Sequence, residues 1–246
     1  MTKSPMDHAA RSLSTLANLR DLGGLATTNG GRTRSGVLYR SALPIVDDEL
    51  PTTVPVWPVR TVIDLRSPKE QTATAHPLLV DDTELHRVPL LTDEDVARQH
   101  GYTSLDAVYS GILANAGDRL ARVLQIAATA PAPVLLHCAA GKDRTGVASA
   151  MLLHAAGVDA AHIVADYTAT EQHMDAVLAR IQLADPDFVR GPNLYDNDLV
   201  RAAPETIGRV LEHWDRYPGG ICNWLVDQGA EAAVIAQWQR RLVDSS

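Results

Sequence analysis

The stretch His137-Cys138-Ala139-Ala140-Gly141-Lys142-Asp143-Arg144-Thr145-Gly146 lies between two apolar segments. Ahead of it, Val134-Leu135-Leu136 follows Pro131-Ala132-Pro133 and is a short unbroken apolar run, as expected of a strand buried on both faces of a parallel sheet. Behind it, Thr145 to Ala156 is too apolar for a surface helix, which places it at the centre of a domain with Gly157 as its stop. A buried strand turning tightly into a buried helix is the unit of an α/β sheet. Ligands of such sheets sit at the carboxyl ends of the strands.

The turn has the composition of an anion site. Cys138 is followed, after five intervening residues, by Arg144 at the start of the helix. The backbone N–H groups of Ala139, Ala140, Gly141, Lys142, Asp143, Arg144 and Thr145 can curl into a nest, and the helix adds the positive end of its dipole. Gly141 permits the bend, and the planar fork of Arg144 can hold two phosphate oxygens. The same field favours a thiolate at Cys138, poised for in-line attack on phosphorus. The Thr145 hydroxyl is expected to reach that sulfur. Other chemistries fit less well. A nucleotide-binding loop needs Gly and Ser/Thr where Leu136 and Asp143 stand, a zinc site needs more than His137 and Cys138, and no C-x-x-C pair occurs. An inert turn with a buried cysteine leaves Lys142, Asp143 and Arg144 crowded into one loop without a reason.

Composition sets the outer limits. The chain has 246 residues, a formal net charge of −8 and 46% hydrophobic residues, which suits one large domain with a full core. The acidic balance argues against nucleic-acid binding, which needs a basic face. Two cysteines far apart, Cys138 and Cys222, suggest a reduced setting without disulfides, and Cys222 sits in an apolar stretch as a core residue. No apolar run is long enough for a signal peptide or a membrane span, so the expected location is cytoplasmic, without stable membrane insertion.

Residues 1–17 read as a polar leader, and 18–246 as a single domain. Turns at Gly23-Gly24 and Asn29-Gly30-Gly31 with a strand at Gly36–Arg40 predict a small N-terminal β element. Thr61–Leu65 is a buried strand and Glu84–Val88 a weaker one stopped by Pro89. Asp118–Thr129 is an amphipathic helix, Asp159 an N-cap for the next, and two helices carrying Trp214 and Trp238 close the chain. Segments near 92–117 and 185–204 are expected to form a helical lid. Alternating strands and helices predict an α/β fold. If the strands ending at Asp64 and Cys138 run parallel, both residues face one crevice.

With these residues in view, HCAAGKDRTG resembles the active-site signature of the cysteine-based protein tyrosine phosphatase superfamily. The nearer resemblance is to a bacterial family of atypical tyrosine/serine phosphatases, supported by NLRDLGG (18–24), VLYRS (37–41), TVIDLRSPKE (61–70) and DYTAT (166–170). The resemblance implies a phosphatase-type central, mostly parallel sheet flanked by helices, with Cys138 as nucleophile and Arg144 as phosphate clamp. It implies no metal and no other cofactor. The implied substrates are phosphorylated proteins (phosphotyrosine, with phosphoserine and phosphothreonine) and phosphoinositides. Lys142, inside the loop, resembles the pattern of lipid phosphatases, where a second cation suits several phosphates. Glu171 departs from the asparagine that this family often shows after DYxxT.

Leaving-group departure needs an acid and hydrolysis of the intermediate a base. The candidates are Asp143, whose place in an anion loop carries an electrostatic cost, and Asp64 at its strand end, which could instead orient Arg144. Asp93, Asp95 and Asp106 read as solvated acids. Arg20 with Asp21, Arg40 and Arg66 read as structural ion-pair residues, and His76, His86 and His100 lack ligand spacing. The reading from another class is a pseudophosphatase that binds phosphorylated partners without turnover. The complete set of Cys138, Arg144, Thr145 and a neighbouring carboxylate favours the enzyme.

Overall fold

The computed structural model describes residues 15–46, 48–71, 75–80, 82–99, 105–184 and 201–244. The central sheet contains β1 (Arg20–Asp21), β3 (Leu38–Ser41), β4 (Thr61–Asp64), β5 (Glu84–Arg87) and β6 (Val134–His137), in the order β1-β3-β6-β4-β5. β3, β6, β4 and β5 pair in parallel, and only β1 is antiparallel, against β3. All twelve residues of β3, β4 and β6 are buried, which explains why these strands read as apolar runs rather than alternations. The weaker strand β5 is the edge, and its residues are half-buried or exposed.

The N-terminal β element is not a separate unit. β1 and β3 enter the main sheet, while β2 (Arg32–Thr33) pairs with β7 (Val243–Asp244) at the other end of the chain. The Asn29-Gly30 turn is present, with Gly30 at a positive φ and its N–H bonded to the Thr27 carbonyl.

The helices are α1 (Asp93–Gln99), α2 (Leu105–Asn115), α3 (Gly117–Thr129), α4 (Asp143–Ala155), α5 (Ala160–Ala169), α6 (Met174–Ala184), α7 (Pro204–Asp215), α8 (Gly220–Asp227) and α9 (Ala232–Leu242). As its composition requires, α4 is central: Arg144 through Leu153 are all buried. α9 is pinned to it by the Trp238 indole N–H, which donates to the Leu152 carbonyl at 2.8 Å. Gly157 ends α4 with a positive φ and donates to the His154 carbonyl. Asp159 stands at the N-cap of α5, although its side chain makes no capping bond.

Within the 92–117 segment, α1 is capped by Thr92 and Asp95, which exchange side-chain-to-backbone hydrogen bonds at 3.0 and 3.1 Å. α2 buries Leu105, Val108, Tyr109 and Ile112 in the main core. Residues 185–200, most of the second segment expected as lid, lie outside the described residues. No helix among the described residues is long and apolar enough to cross a membrane.

Candidate active site

Cys138 leaves the carboxyl end of β6 and is 2% exposed. The loop after it is shaped by what happens to its carbonyls. The Ala139 carbonyl accepts from the Leu43 N–H at 2.9 Å. The Asn18 amide donates to the carbonyls of Ala140 and Gly141 at 3.1 and 3.0 Å. Arg40 Nη2 also donates to the Gly141 carbonyl, at 2.8 Å, and the Lys142 carbonyl accepts from the Gly146 N–H. In a planar trans peptide the N–H points opposite the carbonyl. With four consecutive carbonyls tied to the surrounding protein, the N–H groups of Ala140, Gly141, Lys142 and Asp143 turn the other way. None of them bonds an acceptor among the described residues. The loop thus has the backbone arrangement of a nest, held from outside by Asn18, Arg40 and Leu43. Gly141 makes it sterically possible. Its φ is +68°, and a Cβ there would lie 2.2 Å from the Ser41 carbonyl oxygen.

The residues that brace the loop converge on Asp166. Its Oδ1 accepts from Arg20 Nε at 2.6 Å and its Oδ2 from Arg40 Nη1 at 2.5 Å. Arg20 also donates to the Asn18 side chain. Burial alone would raise the Asp166 pKa, but the two guanidinium groups more than offset it and hold the carboxyl below its ordinary range. Arg20 therefore pairs with Asp166 rather than Asp21, whose carboxylate instead accepts from the N–H groups of Gly23 and Gly36.

Arg144 lies at the first turn of α4, and both its terminal nitrogens are held by Glu70, Nη1 to Oε2 at 2.5 Å and Nη2 to Oε1 at 2.8 Å. Burial works against the charged guanidinium, but Cys138 and the Glu70 carboxylate raise its pKa above the ordinary value. Glu70 ends a 3-10 turn, Pro68–Glu70, and reaches back to the Ser67 N–H at 2.8 Å. That turn is fastened in turn by Arg66, which donates to the Glu70 carbonyl at 2.9 Å.

Asp64 belongs to this fastening. Parallel pairing with β6 is as expected, but the register sets Asp64 opposite His137, one residue before Cys138. Its two oxygens accept three side-chain bonds from Arg66, between 2.8 and 3.2 Å, and one from the Arg66 N–H. Burial would raise its pKa, and Arg66 and His137 more than compensate.

Asp143 is placed differently. It is half-buried in the loop, with Oδ1 2.7 Å from Lys142 Nζ and 2.9 Å from the Tyr109 hydroxyl. Lys142 is buried, and its ammonium also donates to the Arg201 carbonyl at 3.1 Å. The Thr145 hydroxyl is buried without a hydrogen-bond partner among the described residues, so the expected bond to the sulfur is not formed. Of the other acids weighed, Asp93 accepts from the Lys69 N–H and Asp106 pairs with Arg209.

Asp64, His76 and His137 are the group among the described residues whose ligand atoms lie close enough for a metal, all within 4.8 Å. The hydrogen bonds already commit these atoms. His76 Nδ1 accepts from the Leu78 N–H, which leaves Nε2 as donor to His137 Nε2 at 2.9 Å. His137 Nδ1 then donates to the Cys138 carbonyl at 3.2 Å. This neutral relay fits the low basicity of both rings: burial depresses His76 and pushes His137 down to about 4.

A family model described as the tyrosine phosphatase family matches residues 11–244. The chain belongs to the tyrosine phosphatase family. This is a family of phosphatase enzymes, and three named relatives agree. The triple specificity protein phosphatase PtpB of Mycobacterium tuberculosis is 30% identical, over 92% of this chain and 96% of its own length. A Cupriavidus necator protein assigned as a tyrosine-protein phosphatase is 31% identical, over 65% of this chain. A tyrosine-protein phosphatase of Nostoc commune is 35% identical over 48% of it. The matched regions span 63% of the Cupriavidus protein and 42% of the Nostoc one.

The residues that build this phosphatase loop from outside were not found from the sequence. In the sequence Asn18 stands out only as part of NLRDLGG, and Glu70 only within TVIDLRSPKE. A signal for Glu70 exists: Ser67-Pro68-x-Glu70 has the spacing of a capping box with proline at the first position. For Asp166 and Tyr109 no local signal exists, because their partners are 34 to 146 residues away.

Proposed function

We propose that this protein hydrolyses phosphate monoesters through a phosphocysteine intermediate on Cys138, with phosphotyrosyl protein as the principal substrate class. The observation that carries the reading is the set of N–H groups from Ala140 to Asp143 that bond no acceptor among the described residues, beside a cysteine and the arginine that Glu70 orients. Phosphate oxygens take those N–H groups and the Arg144 N–H donors that Glu70 leaves free. The Cys138 thiolate forms the S–P bond as the P–O bond to the leaving group breaks, and Asp143 gives its proton to the departing oxygen. Asp143 then takes a proton from water as that water attacks phosphorus. The S–P bond breaks, and thiolate and inorganic phosphate are regenerated. No metal enters this sequence of steps.

Asp64 acts at a distance in this scheme. Its oxygens are occupied by Arg66, and it reaches Arg144 only through Arg66 and Glu70. Phosphoserine, phosphothreonine and phosphoinositide substrates are part of the proposal, supported by the name of the mycobacterial relative and by Lys142 in the loop. Lys142→Ala should lose phosphoinositide turnover more than aryl phosphate turnover, and equal losses would remove the phosphoinositide claim. The primary test is hydrolysis of p-nitrophenyl phosphate in the presence of a metal chelator by wild type and Cys138→Ser. Turnover should vanish in the variant. A wild type that binds phosphate but never turns over, under reducing conditions from acidic to neutral pH, would make the protein a phosphate-binding module instead.

A further inference from the structure

Two buried tyrosines lie behind Asp143, one from each of two helices. Tyr109 comes from α2 and Tyr167 from α5, and their rings meet edge to face with centroids 6.3 Å apart. Their hydroxyl oxygens are 2.7 Å apart, and the Tyr109 oxygen is 2.9 Å from Asp143 Oδ1. The direction of these bonds follows from the donor inventory. An ionised carboxylate only accepts, so Tyr109 donates its single hydrogen to Asp143. Its oxygen is then left to accept, and Tyr167 is the donor. The chain runs Tyr167 O–H to Tyr109 O–H to Asp143 Oδ1. Burial, with Asp143 adding to it, raises the pKa of both phenols above the ordinary value, so both keep their protons.

Lys142 Nζ approaches the same carboxylate oxygen, at 2.7 Å. Oδ1 therefore faces the Tyr109 hydrogen and the Lys142 ammonium, while Oδ2 has no hydrogen bond from the described residues. A carboxyl proton placed on Oδ1 would collide with both donors. The packing behind the pair is close: a Cβ built on Gly146, in the first turn of α4, would lie 3.0 Å from the Tyr167 ring.

We infer that Tyr109, braced by Tyr167, is a positioning residue for proton transfer: it fixes Asp143 through Oδ1 so that Oδ2 carries the proton toward the leaving group. The inference rests on the reading of Asp143 as acid and base. In this arrangement α2 is the mounting of the acid rather than filler between β5 and α3.

The test uses Tyr109→Phe, which keeps the ring and removes only the donor, together with Asp143→Asn and the double variant. Each is assayed on p-nitrophenyl phosphate and on phenyl phosphate, whose departure needs far more help from an acid. Tyr109→Phe should lose about tenfold in kcat on phenyl phosphate and much less on p-nitrophenyl phosphate, with KM unchanged. It should cost nothing further in the Asp143→Asn background. Tyr167→Phe should repeat the leaving-group pattern at smaller size, and it carries the test if Tyr109→Phe does not fold. Equal losses on both substrates, or losses that multiply with Asp143→Asn, would overturn the inference while leaving Asp143 as acid. An Asp143→Asn enzyme with no leaving-group dependence would instead remove the premise, and the inference would fall with it.

Discussion

Asp166→Asn is the perturbation that reaches furthest from a single atom change. Asp166 never meets the substrate in this account, yet it is the counter-ion of both arginines behind the loop that follows Cys138. Arg40 is fully buried, and its other terminal nitrogen holds the Gly141 carbonyl. Arg20 holds Asn18, which holds the carbonyls of Ala140 and Gly141. Removing one charge leaves the buried Arg40 guanidinium facing the half-buried one of Arg20 without a counter-ion. Breaking a buried ion pair from one side costs about 3–5 kcal/mol, a large part of the roughly 5–15 kcal/mol by which domains are stable. For a domain of this size that is a fall in Tm of about 10 °C. The carboxyl is held below its ordinary range in the folded state, so its contribution is fully present above about pH 4 and is lost as the pH falls further. Urea denaturation of wild type, Asp166→Asn, Arg40→Met and the double variant gives the assay. The two changes should couple by about 2 kcal/mol, because removing Arg40 as well relieves the uncompensated charge. Additivity within about 0.5 kcal/mol would refute the hub.

Three further outcomes follow from the same geometry. His137 is buried and neutral with its pKa near 4 against 6.5 unfolded, so the unfolded chain takes up the proton first. The urea midpoint should fall between pH 6.5 and 4 by the equivalent of about 3 kcal/mol, and a flat profile would contradict the buried neutral relay. Asp64→Asn should release Arg66 and, through Glu70, Arg144; kcat/KM should drop about tenfold to a hundredfold equally for good and poor leaving groups. A loss confined to poor leaving groups would make Asp64 the acid. Gly141→Ala combines a φ of +68° with a Cβ 2.2 Å from backbone oxygen, so it should destabilise by about 3 kcal/mol or more and abolish phosphate protection against thermal unfolding.

The parts of this site that follow one another along the chain are legible in the sequence alone. A cysteine, a glycine, an arginine and the start of a buried helix within ten residues carry their own geometry, because strand, loop and helix dipole are local. Alternating apolar runs and amphipathic stretches gave the α/β class for the same reason. Register was not legible: a parallel strand ending in Asp64 can stop opposite Cys138 or opposite His137, and one residue decides whether the carboxylate turns toward Cys138 or toward Arg66. Pairings between distant segments were equally hidden. Nothing in Arg32-Thr33 points to Val243-Asp244, and nothing in Tyr109 points to Asp143. Charged residues that read as solvated or as generic ion-pair partners became specific only when the sheet brought them within 3 Å.

The most direct test of the central claim is to catch the intermediate. Wild type is quenched by denaturant during turnover of a phosphotyrosyl peptide carrying radiolabelled phosphate, and the digested protein is mapped. Label should be found covalently on the peptide containing Cys138, with the lability of a thiophosphate ester, and Cys138→Ala should carry none and turn over nothing. Sustained turnover in Cys138→Ala, or label on another residue, would contradict the account.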